Sequence, residues 1–269
     1  DRDAKGRLMV LRPAARIQLL FERIGFETTA IWNSADNAGR AGIAWTTLQF
    51  VYRGSAGSQS INRIESIINR DAKVATYKLA LLRAFCDISQ HEAGIVRWEP
   101  GGKVAVPIRA IAEKWIEYYW PLIESDRFIP QKGGENPDSA KSIAFRGTLK
   151  ELAGFYKGSG GLSAYKAEHD ANSMPRKLAR CYSAALSATK RAVQQPVRYA
   201  GGGHSPYKPF SYDSSKRSVL MDGQLWREFS LLGYLIHDSI VLRWAEETER
   251  MSRGDIETSA ALGLLLSSV

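Results

Sequence analysis

Apolar positions recur every three to four residues through most of this chain, and they are densest between residues 61 and 123. The order there reads helix, helix, short ribbon, helix. Residues 62–69 give a short helix. Asp71 is placed to cap the next one, in which Val74, Tyr77, Leu81, Phe85 and Ile88 keep helical spacing until Gly94 stops it. Residues 95–98 and 103–106 then flank Glu99-Pro100-Gly101-Gly102, two strands with turn chemistry at the tip. Pro107 opens a third helix with Ile108, Ile111, Ala112, Trp115, Ile116 and Tyr119 on its inward face, and Pro121 ends it. Helix, helix, ribbon is also the order of a winged helix-turn-helix, a reading that spans residues 72–120 and would put DNA binding on a recognition helix. Such a ribbon more often only covers a core.

On either side the pattern is weaker. Pro13 opens a helix carried by Ile17, Leu20, Phe21 and Ile24, with Arg12, Arg16 and Arg23 largely off its apolar stripe. Residues 28–60, rich in Gly, Ser, Ala and Asn, show no steady period and read as irregular. Residues 131–142 read as a polar linker. Helices follow over 143–156 (Phe145, Leu149, Leu152, Phe155), over 163–169, and from Pro175 to about Gln195. Short strands are expected at 197–199, 210–212 and 218–221. Residues 225–250 make a strongly amphipathic helix through Trp226, Phe229, Leu232, Leu235, Ile236, Ile240, Leu242 and Trp244. The fold class is therefore mainly α, a helical domain with one or two short β-hairpins. The expected divisions are 1–60, 61–131 and 143–269, and 61–269 also reads as one domain.

Composition narrows the partners. Lys and Arg number 37 against 28 Asp and Glu, a formal charge of +9, which favours polyanions, nucleic acid before an anionic membrane. Two cysteines, Cys86 and Cys181, make no disulfide framework and point to a reducing, cytoplasmic setting. No apolar run is long enough for a membrane span, and no membrane partner is expected. Asp1 in place of an initiator Met, and Val269 directly after an apolar run, read as the open ends of a fragment.

The basic excess is concentrated. Residues 174–212 hold no Asp or Glu but carry Arg176, Lys177, Arg180, Lys190, Arg191, Arg198 and Lys208, with Lys216 and Arg217 just beyond Asp213. These eight residues, Arg176 to Lys216 without Arg217, are the candidate nucleic-acid contacts, because their donors and fixed charge suit phosphate whatever the base sequence. Tyr182, Tyr199, Tyr207, Phe210 and Tyr212 are interleaved and could stack on bases. A solvated helix face with core tyrosines would give the same pattern. Gly201-Gly202-Gly203-His204 lacks the residues of a phosphate loop and does not open a helix, so it reads as a loop tip. His91, His169, His204 and His237 have no partners at metal-ligand spacing. Adjacent on a helix, His237 and Asp238 point about 100° apart and do not readily form a base and its orienter. No catalytic residue and no metal or cofactor ligand is assigned.

Several phrases in this order resemble the N-terminal region of bacterial HNH endonuclease proteins: RDAKVATYKLALLRAFCDI at 70–88, VAVPIRAIAEKWIEYYWPLI at 104–123, FIPQ at 128–131, IAFRGTL at 143–149, QPVRYAGGG at 195–203 and LWREFSLLGYLIHDSIVLRWAEETERMS at 225–252. In that group a ββα-metal unit follows, in which one His activates water and other His or Asn residues hold a divalent ion that polarises the phosphate. No His of this chain matches that unit, so a divalent metal is expected only downstream, beyond Val269. The resemblance implies a helical region that binds or positions DNA for a nuclease. The alternative is a protein-interaction module, forming a homo-oligomer or meeting the nuclease domain through an apolar stripe on residues 225–244.

Overall fold

The computed structural model describes residues 14–23, 26–35, 44–52, 58–69, 71, 73–138, 140–171, 173–201 and 208–268. It divides into two compact units, residues 1–62 and 63–269. In the first unit α1 (Ala14–Arg23) leads into an antiparallel hairpin of β1 (Phe26–Ala35) and β2 (Ala44–Tyr52). Phe21 stacks on Phe50 with ring centres 4.4 Å apart, and Phe26 meets Phe21 edge-on at 5.3 Å. The strand register shifts between Thr28 and Ala30, a bulge. The segment read as irregular thus contains most of a hairpin. Its strands are hard to read because a two-stranded ribbon backed by one short helix needs no strict alternation. Ile31 and Trp32, neighbours in β1, are 48% and 52% exposed.

The second unit runs from within α2 (Ser58–Asn69) through α3 (Tyr77–His91), β3 (Arg97–Glu99), β4 (Lys103–Pro107), α4 (Ile108–Glu124), α5 (Arg146–Tyr156), α6 (Gly161–Asp170) and α7 (Arg176–Tyr199). It continues with β5 (Phe210–Asp213), β6 (Ser218–Asp222), α8 (Gly223–Ser252) and α9 (Thr258–Leu266). The protein is mainly α-helical with short antiparallel strand pairs, as the periodicity predicts.

α3 is the central helix. Every residue from Leu79 to Cys86 is buried, and α4, α7 and α8 pack around it. Its fully buried Arg83 donates to the Leu265 carbonyl and the Ser268 hydroxyl, a cation at the C-terminal end of α9 where the helix dipole favours one. Asp71 does not cap α3. Its carboxylate instead takes the Lys78 ammonium at 2.8 Å and the Gly201 N–H at 2.9 Å, and Val74, expected on the inward face, precedes the helix and is exposed.

The two predicted hairpins join into one antiparallel sheet of order β3-β4-β6-β5. β4 is hydrogen-bonded on both sides, Arg97 to Glu99 facing it on one and Ser218 to Asp222 on the other. The ribbon is therefore no free wing. The helix before it, α3, is buried around its axis and presents no face to a DNA groove, which removes the winged-helix reading of residues 72–120.

Two prolines lie inside helices that the pattern would end at them. α4 continues past Pro121 to Glu124, and α7 continues past Pro196 to Tyr199, so residues 197–199 are helix and not strand. A proline in a last turn loses one backbone bond and leaves little helix to disrupt.

Within the largely exposed segment read as a polar linker, two side chains, Gln131 and Glu135, are buried and act as a clamp. Gln131 is fully buried, and its Oε1 accepts from Thr76 Oγ1 at 3.0 Å and from Trp244 Nε1 at 2.7 Å. Its Nε2 donates to the Pro130 carbonyl at 2.9 Å and to Thr248 Oγ1 at 3.1 Å. Thr76 Oγ1 also lies 2.7 Å from the Tyr119 hydroxyl, so one carboxamide ties the entry of α3 to α4 and α8. Next to it the Glu135 carboxylate receives the Gln131 N–H, the Ile143 N–H, the Ser142 hydroxyl and the Arg146 guanidinium at 2.7 Å. Burial alone would raise the Glu135 pKa, but the Arg146 guanidinium and the two backbone donors outweigh it and hold it below its ordinary value.

The clamp can be tested at both of its polar centres. Gln131→Leu keeps the volume but strands the Trp244 N–H, and should lower unfolding stability in urea by about 2–4 kcal/mol. Because the folded pKa of Glu135 is depressed, its stabilisation is present above the ordinary carboxylate value near 4.5 and is lost as pH falls below it. A plot of stability against pH should therefore drop less steeply below pH 4.5 in Glu135→Gln than in the parent chain.

Candidate nucleic-acid interface

α7 has 24 residues and spans about 36 Å. Leu178, Tyr182, Ala185, Leu186, Ala188, Thr189, Ala192, Val193, Pro196 and Val197 are buried, against α3, α4 and α5. The helical period then fixes what faces outward. At 100° per residue, Arg176, Arg180, Arg191 and Arg198 fall within about 60° of one another, and the gaps between them are filled by Ser183, Ser187 and Gln194. All four arginines are exposed, and among the described residues none has an ion-pair partner. The acid-free stretch thus sets two pairs of arginines on one face of α7 over about 33 Å, a track with about 16 Å of serine-bearing surface between Arg180 and Arg191.

The other candidates lie at its margins or away from it. Lys190 is half-buried on one edge of the track, and Lys177 on the other edge sits over the Phe155 ring at 5.4 Å. Lys208 is exposed in the loop before β5. Lys216 is in the turn between β5 and β6, where its ammonium meets the Glu99 carboxylate at 2.6 Å, so its charge is already matched. Of the aromatic residues proposed for stacking, Phe210 is in the core and Tyr182 is buried. Tyr212 is half-buried, and Tyr207 lies outside the described residues. Tyr199 alone of the described ones is open, at 60% exposure. In the 201–204 loop only Gly201 is described, its N–H held by Asp71.

The two serines and the glutamine of the track escape a reading that attends only to charge. The signal is nevertheless present: residues 176, 180, 183, 187, 191, 194 and 198 keep one helical face with no apolar member.

Other polar clusters are closed networks. Tyr182 donates to Glu113 Oε1 at 2.6 Å, Arg109 Nε donates to the same oxygen at 2.8 Å, and His169 Nε2 lies 3.2 Å from the Tyr182 hydroxyl. Burial, then the Glu113 carboxylate, pushes the Tyr182 phenol far up, so it stays neutral and pins α7 to α4 and α6. His237 lies between Asp87 and Asp238, with ring nitrogens 3.8 Å and 3.5 Å from their oxygens. The approach to Asp238 is closer than neighbouring helix positions suggest, and no nucleophile hydrogen-bonds to this ring among the described residues. Among the described residues no group of three or more His, Cys, Asp or Glu could hold a metal ion, and no helix is long and apolar enough to cross a membrane.

The sequence model of a family described as a domain of unknown function (DUF8808) matches residues 57–265. No curated protein and no solved structure matches the chain.

Exposed arginines without partners are not needed by the fold. The variant with Gln at positions 176, 180, 191 and 198 should melt within about 0.5 kcal/mol of the parent, or slightly higher at low salt as like charges are removed. Differential scanning calorimetry at two salt concentrations checks this.

Proposed function

The chain belongs to the DUF8808 family, whose description names no activity, and from the chain's own surface we propose that it engages duplex DNA through the outward face of α7. The observation that carries this reading is the unpaired arginine track of Arg176, Arg180, Arg191 and Arg198. Its length, about 33 Å, is close to one turn of the duplex, about 34 Å, and its serine and glutamine side chains add uncharged donors to phosphate oxygens. Arginine forks that make no ion pair among the described residues have none to give up when they meet a phosphate. Binding of this kind positions DNA without reading its sequence. That matches the role implied by the resemblance to HNH endonucleases, in which a separate metal-bearing unit cuts the strand this region holds.

The alternative, an interaction module built on residues 225–244, has less support. Leu225, Trp226, Phe229, Leu232, Ile240 and Trp244 are buried in the chain's own core, and α8 packs along α3. Leu242 is the large apolar residue left well exposed there.

Four phosphate contacts predict a slope of about −3.6 for log K against log salt, which is on the order of a hundred-fold loss between 50 and 200 mM. Fluorescence anisotropy with a labelled duplex measures it. Charge reversal at Arg176, Arg180 and Arg191 together should abolish binding, and single neutralisation should flatten the slope by about one. Binding that ignores salt, or that survives the triple reversal, contradicts the proposal.

A further inference from the structure

The last turns of α7, on a side of the helix next to the arginine track, line a cleft of about 420 Å³. Tyr77 and Pro196 form its buried floor, and the exposed Val74 and Tyr199 line it, with Lys132 and Gln195 among the polar side chains. Scattered exposed apolar residues call for no explanation, but two large ones in one cleft, 70% and 60% exposed, make a slot for a flat apolar ligand. No carboxylate lines the cleft, whereas Lys78 and Lys132 both do. Lys78 is held by Asp71, and among the described residues Lys132 has no ion-pair partner, so an occupant carrying negative charge fits and a cation does not. The Gln195 amide is at hand as a hydrogen-bonding group, and the Ser142 hydroxyl, whose proton goes to Glu135, can only accept.

The cleft and the track share one helix. Tyr199 follows Arg198 about 100° further round the helix, and Gln195 lies one turn before Tyr199 on the same side. A nucleotide whose phosphate meets Arg198 reaches the Tyr199 ring only with its base turned off the track, round the side of the helix. We infer that the cleft takes an unpaired nucleobase of the nucleic acid held on α7, stacked on Tyr199 beside Val74. Every base has a face that an aromatic ring can stack on, so the slot reads an unpaired base without reading its identity. Taking a base out of a duplex is costly and an overhanging or mismatched base is cheapest, so the site makes the protein select junctions between duplex and single strand. This inference rests on the reading of α7 as a phosphate track.

The test uses the full chain, a plain duplex, and the same duplex with a single-stranded overhang carrying 2-aminopurine at its first unpaired position. The overhang duplex should bind about ten-fold more tightly, and its 2-aminopurine fluorescence should fall on binding. Tyr199→Ala and Val74→Ser should each remove the preference and the fluorescence change while plain-duplex affinity stays within about two-fold; both side chains are exposed, and circular dichroism checks that the variants fold. Equal binding of the two duplexes by the parent chain, or a Tyr199→Ala loss shared by both, overturns the cleft proposal and leaves the track reading standing. Failure to bind either duplex overturns the track reading and the cleft with it. Saturable binding of adenosine monophosphate alone at micromolar concentration would instead make a free nucleotide the occupant and overturn the strand reading.

Discussion

The carboxamide of Gln131 uses both lone pairs and both N–H groups, and three parts of the second unit depend on it. It holds the entry of α3 through Thr76, two side chains of α8 through Trp244 and Thr248, and the segment that passes between α4 and α5. In a fully buried place each of these groups would be costly if left unpaired. The neighbouring Glu135–Arg146 pair behaves alike: a buried carboxylate is tolerable only because five donors, two of them from one guanidinium, surround it. Together the two networks fix helix positions that apolar packing alone would leave free to slide.

That rigidity is what fixes the outward face of α7. A helix packed on α3, α4 and α5, and pinned by Tyr182 to Glu113, has only one side left for solvent. The sequence places on that side four arginines and small polar residues with no carboxylate among them. The face therefore bears unbalanced charge on a stiff support. Elsewhere on the described surface matched and unmatched cations are mixed: Lys216 is paired with Glu99 and Lys114 with Glu92, while Lys103, Lys132 and Lys150 have no ion-pair partner among the described residues. The alignment of four unmatched arginines on one helix face, more than the net charge, singles out α7.

How much of this could be read beforehand depended on the range of the interaction. Helices α3, α4, α5, α7 and α8 follow from apolar spacing because each buries a stripe, and the turn at Gly101 and Gly102 follows from local backbone chemistry. The Gln131 clamp was invisible, since a polar residue between a proline and a glycine-rich run reads as loop unless its distant partners Thr76 and Trp244 are known. The union of two hairpins into one sheet was hidden for the same reason, with Lys103 and Asp222 far apart in the chain. Tyr182 stays open between a base-stacking and a core reading in the sequence, because spacing cannot tell a stacking ring from a buried one with a satisfied hydroxyl. The arginine track was half legible: composition found the region, but the structure was needed to separate Arg176, Arg180, Arg191 and Arg198 from Lys216.

The most direct measurement is an NMR titration of arginine side-chain Nε–Hε signals with a short DNA duplex. The account predicts that the signals of Arg176, Arg180, Arg191 and Arg198 shift together, while those of buried Arg83 and ion-paired Arg146 stay in place. Saturating DNA that moves other arginines and leaves these four unchanged would contradict it.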